Sequence, residues 1–226
     1  MLKAIFDYDN PFMSFICRLI DLFVLSLLWF ICSLPLVTIG ASTCSLYYAV
    51  IKSVRRQRSY PTKEFLNCFR RNLKPSFVIL IPLVFLGMIT FFLYIPFSLH
   101  FWFSEQVVYK IGSIFLAIAI YIYFSVVLWS FPLLSRFEAS LLKILELATL
   151  QTLFSPFTTI FALLLTAVST VLVFVEPLLL CIVPGLLFWG LTFLMEPKLL
   201  RIYQEQVMPQ QNAIPEHDLL DTWYIQ

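Results

Sequence analysis

The chain has 226 residues, of which 61% are hydrophobic and only 12% are charged. Soluble globular domains are about 45–50% apolar and about 25% charged, so a soluble domain of this composition would expose much apolar surface to water. The composition therefore indicates a membrane protein, and a net charge of +2 is too small to indicate a nucleic-acid partner.

Apolar segments recur along the chain and predict an all-α, polytopic membrane protein with about six transmembrane helices. A spanning helix needs about 20 apolar residues, each rising about 1.5 Å. The spans and their connections form one helical membrane domain, residues 1–205, and an acidic, poorly ordered tail follows at residues 206–226. The predicted spans are residues 12–34, 36–51, 76–99, 107–131, 157–175 and 178–195.

The second predicted span is short, about 24 Å at the usual helical rise. It follows Pro35, and because proline cannot donate a backbone hydrogen bond, a tight turn at this residue is the simplest interpretation. A re-entrant loop over residues 36–51 is the alternative.

The distribution of positive charge favours a crossing by residues 36–51. If they cross, only Lys110 of the 15 Lys and Arg residues lies on the opposite side from the others. Short loops rich in Lys and Arg stay cytoplasmic, so we expect both termini inside. The basic segment after the second span is expected to contact anionic lipid headgroups. The candidate headgroup residues are Arg55, Arg56, Arg58, Arg70, Arg71 and Lys74.

Two segments between spans have the pattern of cytoplasmic amphipathic helices. Residues 65–73 precede Pro75, residues 134–148 precede Pro156, and each segment leads into a new span. Both units run in the same direction across the membrane, which suggests a parallel internal repeat. We expect both helices to lie in the membrane interface, and a docking platform for a partner is the alternative.

Small and hydroxyl residues cluster in the second span, from Thr38 to Ser45. Such residues let helices approach closely and hydrogen-bond to one another, so we expect a packing role. A narrow polar path is the functional alternative. The candidate partner-docking or helix-packing residues of the whole chain are Arg18, Asp21, Thr38, Gly40, Thr43, Arg136, Phe137 and Glu138.

The sequence has no recognisable catalytic or metal-binding pattern. Its two histidines, His100 and His217, have no partner at catalytic or metal-ligand spacing. The five cysteines form no C-x-x-C pair, and the five glycines form no phosphate-binding loop. We therefore expect a protein that is not an enzyme, with free thiols, no metal and no cofactor.

Two groups of residues carry a resemblance to a known family. The first group is Asn10, Phe12, Arg18, Asp21, Trp29, Cys32-Ser33-Leu34-Pro35, Thr38-Ile39-Gly40 and Leu46-Tyr47-Tyr48. The second is Phe131-Pro132-Leu133-Leu134-Ser135-Arg136-Phe137-Glu138. In this order they resemble the YesL-like family of uncharacterised bacterial membrane proteins, over roughly residues 8–205.

The resemblance implies a place in the cell and an association. Members of the YesL-like family occur mostly in Gram-positive bacteria, often beside genes for carbohydrate ABC importers and glycan-degrading enzymes. The resemblance thus implies a bacterial plasma-membrane protein that contributes to sugar uptake, with permease subunits as partners.

Two functions from different classes are consistent with these features. The first is a non-enzymatic accessory or assembly subunit of a carbohydrate ABC importer. Residues 139–157 have the position of a permease coupling helix but lack its motif, which favours an accessory subunit over a permease. The second is a stand-alone transporter or channel for a sugar or another small solute. The ionisable residues lie at the ends of the spans rather than near the midplane. Arg18 and Asp21 can pair there, and Glu176 and Glu196 each precede a proline at a span boundary. Interfacial anchoring or helix-end structure is the expected role of all four.

Overall fold

The computed structural model describes residues 11–55, 60–103, 107–137 and 140–206. These residues form seven α-helices and no β-strand, which confirms the all-α prediction. Two 3₁₀ turns lie at Leu36–Thr38 and Pro177–Cys181, and a π-helical turn, Val50–Arg55, continues the second helix. The helices are α1 (Pro11–Ser33), α2 (Ile39–Ala49), α3 (Pro61–Phe103), α4 (Val107–Arg136), α5 (Leu141–Phe154), α6 (Pro156–Val175) and α7 (Val183–Gln206).

Four of the described helices are long and apolar enough to cross a membrane, by length and composition. They correspond to the first, third, fourth and fifth predicted spans and are compatible with a membrane protein. The predicted spans 36–51 and 178–195 fall on α2 with its flanking turns and on a 3₁₀ turn followed by α7, so the number six is not confirmed. The four segments are Met13–Ser33, Pro61–Ile95, Lys110–Arg136 and Pro156–Val175.

Helix α3 passes through Pro75 without a break, so the prediction of a separate amphipathic helix before this proline is wrong. Its 43 residues span about 65 Å at the usual rise, against about 30 Å for a hydrocarbon core. Asn72 and Ser76, on either side of Pro75, are both buried. Packing on both sides of the proline keeps the helix continuous despite the missing backbone donor.

The second amphipathic segment is divided between two helices. Residues 134–136 belong to α4, which continues through Pro132, and α5 begins only at Leu141. Helix α5 buries Ile144, Leu147 and Ala148, as an amphipathic helix should. The two units of the expected repeat therefore differ, because only the second has a break between its amphipathic helix and the span that follows it.

Helix α2 occupies the centre of the bundle. Helices α1, α3, α4 and α7 all pack against it. None of its residues is fully exposed, so it has no lipid-facing stripe. Its buried residues are Gly40, Ala41, Ser42, Cys44, Ser45, Leu46, Tyr47 and Ala49.

The outer parts of α3 and α4 contrast with this core. The two helices are in contact at Gly87, where an added Cβ would lie 2.4 Å from the hydroxyl oxygen of Tyr123. Away from this contact they expose many large apolar side chains, a surface suited to lipid tails or to another membrane protein. Among them are Phe85, Phe91, Phe92, Ile114, Phe115, Ile118 and Phe124.

Candidate functional site

A buried ion pair joins α4 to α7 beside α2. Arg136, the last residue of α4, donates a hydrogen bond from Nη2 to Oε1 of Glu196 on α7. The two side chains are only 1% and 3% exposed. Tyr47 on α2 donates its hydroxyl to Oε2 of the same carboxylate at 3.4 Å. Three helices therefore meet at Glu196.

The burial of these charges makes the site notable. Removing an ion from water costs several kcal/mol, and only a well-bonded partner offsets that cost. Ionisable residues inside a membrane bundle are rare and mark either a functional site or a polar joint between helices. The arrangement can do two things: fix α4 against α7 and α2, or present a carboxylate whose charge a proton or solute could alter.

Of the two roles expected for Glu196, interfacial anchoring and helix-end structure, the second is wrong. Glu196 lies inside α7, which continues through Pro197 to Gln206, and it is buried. Tyr47 was not predicted to bind this carboxylate. The signal in the sequence was an acidic residue, Glu196, in an apolar segment, but its partner Arg136 is 60 positions away in the chain.

Arg55 lies against α7, beside the ion pair. Its Nη1 donates a hydrogen bond to the carbonyl oxygen of Thr192 at 3.1 Å. Its guanidinium carbon lies 4.8 Å from the ring centroid of Phe193, a cation–π distance. The sequence predicts a headgroup contact for Arg55, whereas the structure places its guanidinium on another helix of the protein.

The hydroxyl cluster of the second predicted span makes hydrogen bonds within the bundle. Thr38 donates to the carbonyl oxygens of Cys32 at 2.6 Å and Pro35 at 2.8 Å, which closes the turn between α1 and α2. Ser42 and Ser45 donate to carbonyl oxygens one turn earlier in the chain. These contacts match a packing role better than a polar path.

Gly40 and Thr43 lie where α2 meets its neighbours. A Cβ on Gly40 would lie 2.8 Å from Cε1 of Phe131, so α2 and α4 touch at this glycine. Thr43 donates to the carbonyl oxygen of Ile39 at 2.7 Å and accepts a hydrogen bond from Nε1 of Trp29 at 3.3 Å. Thr43 therefore links α2 to α1.

Thr43→Val is expected to lower the free energy of unfolding by about 1 kcal/mol, because the partly buried indole N–H of Trp29 loses its acceptor. Thermal unfolding of the purified protein in a mild detergent measures the effect. Thr43→Ser keeps the hydroxyl and serves as the matched control, with a melting temperature closer to that of the wild type. A Thr43→Val variant with the melting temperature of the wild type would show that the hydrogen bond does not contribute to stability.

The remaining predicted residues are not brought into one site. Arg18 and Asp21 lie on α1 and are partly exposed, and the ring of Phe137 is buried directly after α4. Arg70, Arg71 and Lys74 are exposed on α3. Glu138, Arg56 and Arg58 lie outside the described residues.

A second ion pair links the π-helical turn to α3. Nζ of Lys52 lies 2.9 Å from Oε2 of Glu64, and the side chains are 22% and 13% exposed. Burial lowers the pKa of Lys52, but the hydrogen bonds to the Glu64 carboxylate and to Tyr48 outweigh it and raise the pKa above its usual value. The ammonium group therefore stays charged at neutral pH and holds Glu64.

The thiols are free, and the described ranges contain no metal-binding group. Cys44 and Cys68 are buried, and Asn72 donates to Sγ of Cys68 at 3.2 Å. Among the residues with described positions, no three His, Cys, Asp or Glu side chains are arranged to hold a metal ion.

Fold and site together define an all-helical protein of membrane type, with a buried ion pair at the junction of α2, α4 and α7. A family model described as "Protein of unknown function, DUF624" matches residues 22–94. The match covers α2 and most of α1 and α3, which is less than half of the chain, and it includes Tyr47 but neither Arg136 nor Glu196. No curated protein and no solved structure matches the chain.

Proposed function

We propose that the protein is a non-enzymatic accessory or assembly subunit of a carbohydrate ABC importer in the bacterial plasma membrane, with both termini cytoplasmic. The observation that carries the proposal is the hydrogen bonding of the polar side chains in α2 and the turn before it. Thr38, Ser42 and Ser45 donate to backbone carbonyls, and Thr43 bonds to α1. Thr43 therefore joins α2 to α1, and Thr38 closes the turn between them. Ser42 and Ser45 bond within α2 and are buried among its neighbours. Hydroxyl protons used in these ways are not available to a solute.

The outer surface supports the same function. The outer parts of α3 and α4 expose large apolar side chains, and a second membrane protein can pack on such faces within the bilayer. The kind of partner comes from the resemblance to the YesL-like family, whose genes often accompany those of carbohydrate importers. The cytoplasmic position of the termini comes from the Lys and Arg distribution.

Purification of the tagged protein from its native membrane in a mild detergent tests this function. We expect permease or solute-binding subunits of an ABC importer in stoichiometric amounts. A tagged helical membrane protein of similar size, expressed in the same cells, is the control for non-specific capture. Recovery of the protein alone, repeatedly and in several detergents, would contradict the accessory function.

A stand-alone transporter or channel is the second candidate, and the buried Arg136–Glu196 pair is the observation that favours it. Solute uptake by liposomes that contain only this protein is the measurement. This function requires uptake above that of empty liposomes and its loss in Glu196→Gln protein that is still folded. Equal uptake by the variant and the wild type would show that the ion pair is not needed for transport.

A further inference from the structure

One face of α3 changes from basic to apolar along its length. Lys63, Arg70 and Lys74 are exposed and recur at intervals that place them on the same side of the helix. The next exposed positions along this side are Phe77 and Ile81, at 40% and 53% exposure. Because α3 is continuous through Pro75, both parts of the face belong to one helix.

The change from Lys74 to Phe77 marks the edge of the hydrocarbon. Three residues of helix correspond to about 4.5 Å. The headgroup region on each side of a bilayer is about 5–8 Å thick. With Phe77 at the hydrocarbon edge, Lys74 lies within the headgroup layer, and the long side chain of Arg70, about 10.5 Å from that edge, can reach back to it. Lys63 lies about 16 Å further along the helix from Lys74, beyond that layer.

Neighbouring charges do not cancel this basic face. Glu64 is the only acidic residue of α3, and its carboxylate binds Lys52 at 2.9 Å. On the opposite side of the same stretch, Phe65, Asn72 and Ile79 are buried in the core. The core therefore fixes the rotation of α3 and holds the basic side chains outward.

We propose that Arg70 and Lys74 form a binding site for the phosphate group of an anionic phospholipid. A guanidinium group and an ammonium group one helical turn apart match a phosphate in charge and in hydrogen-bond donors. The aliphatic parts of these side chains can lie along the helix while their charged ends reach the headgroups. The site does not depend on any transport partner.

Native mass spectrometry tests the site on the full chain in a neutral detergent, titrated with phosphatidylglycerol or with zwitterionic phosphatidylcholine. We expect the tightest lipid site to prefer phosphatidylglycerol. Each basic residue near an anionic surface contributes about fivefold in binding. The double variant Arg70→Gln/Lys74→Gln is therefore expected to weaken phosphatidylglycerol binding by at least tenfold, with little effect on phosphatidylcholine.

Two single variants form the matched control. Lys74→Gln is expected to weaken phosphatidylglycerol binding several-fold. Lys63→Gln removes the same charge from the same face but lies further than a Debye length of about 8 Å from the headgroup layer, so we expect less than a twofold change. All these positions are exposed, and unchanged thermal unfolding would show that the variants are folded.

Three results would overturn the proposal: equal affinity for the two lipids, a double variant that keeps the wild-type preference, or equal effects of Lys63→Gln and Lys74→Gln. A double variant that keeps its lipid preference but loses a co-purifying protein would assign the basic face to an acidic protein segment instead.

Discussion

Glu196→Gln is expected to lower the free energy of unfolding by about 3–5 kcal/mol, because it leaves the buried guanidinium of Arg136 without its counter-charge. Both side chains are almost fully enclosed, so water cannot replace the lost carboxylate. The hydroxyl of Tyr47 also loses a charged acceptor. Equilibrium unfolding in mixed micelles with increasing denaturing detergent, followed by far-UV circular dichroism, measures the loss.

Two further variants separate the effect of charge from that of position. Glu64→Gln breaks the partly exposed pair with Lys52 and is expected to cost at most about 1 kcal/mol. The double variant Arg136→Met/Glu196→Met removes both buried charges and is expected to regain most of the lost stability. An unfolding free energy of Glu196→Gln within about 0.5 kcal/mol of the wild type would show that the pair is not an important joint.

The double variant also distinguishes the two proposed functions. If the ion pair only joins helices, the stable double variant keeps its co-purifying partners. If the carboxylate takes part in transport, the double variant regains stability but not solute uptake, because a methionine cannot bind a proton or a cation. Stability and function measured on one protein therefore identify the role of Glu196.

The class of protein could be predicted from the sequence because it depends on average properties. A helix of about 20 apolar residues needs an apolar environment, whatever the rest of the fold. Helices α1, α4 and α6 correspond to such runs. The enclosure of α2 could not be predicted in this way. Residues 36–51 are apolar enough for contact with either lipid or protein, and only the positions of α1, α3, α4 and α7 decide between them.

Local rules were wrong where long-range packing opposes them. The expected break at Pro75 is a property of an isolated helix, and buried contacts of Asn72 and Ser76 on both sides override it. Glu196 was assigned to a helix end because it precedes a proline, yet its neighbour in space is Arg136. The sequence shows both charged residues but contains nothing that pairs them until the fold is known.

Gly185→Ala is expected to lower the free energy of unfolding by about 1–3 kcal/mol through overpacking of α7 against α1. A Cβ at Gly185 would lie 2.6 Å from both the carbonyl oxygen of Leu22 and Oγ of Ser26. The backbone of α1 cannot move aside as a flexible side chain can. The shift would also disturb the hydrogen bond from the Gly185 N–H to Oγ of Ser26, now 2.9 Å long.

Gly190→Ala, on the same helix, is the matched control for Gly185→Ala. No atom lies within 4 Å of a Cβ added at Gly190. An alanine there is expected to raise the stability by about 0.5–1 kcal/mol, because glycine is the poorer residue in a helix interior. Thermal unfolding of the two variants in one detergent gives shifts of opposite sign if α7 touches α1 at Gly185. Shifts of the same sign would mean that only helix propensity matters, and that α1 and α7 are not in contact at this glycine.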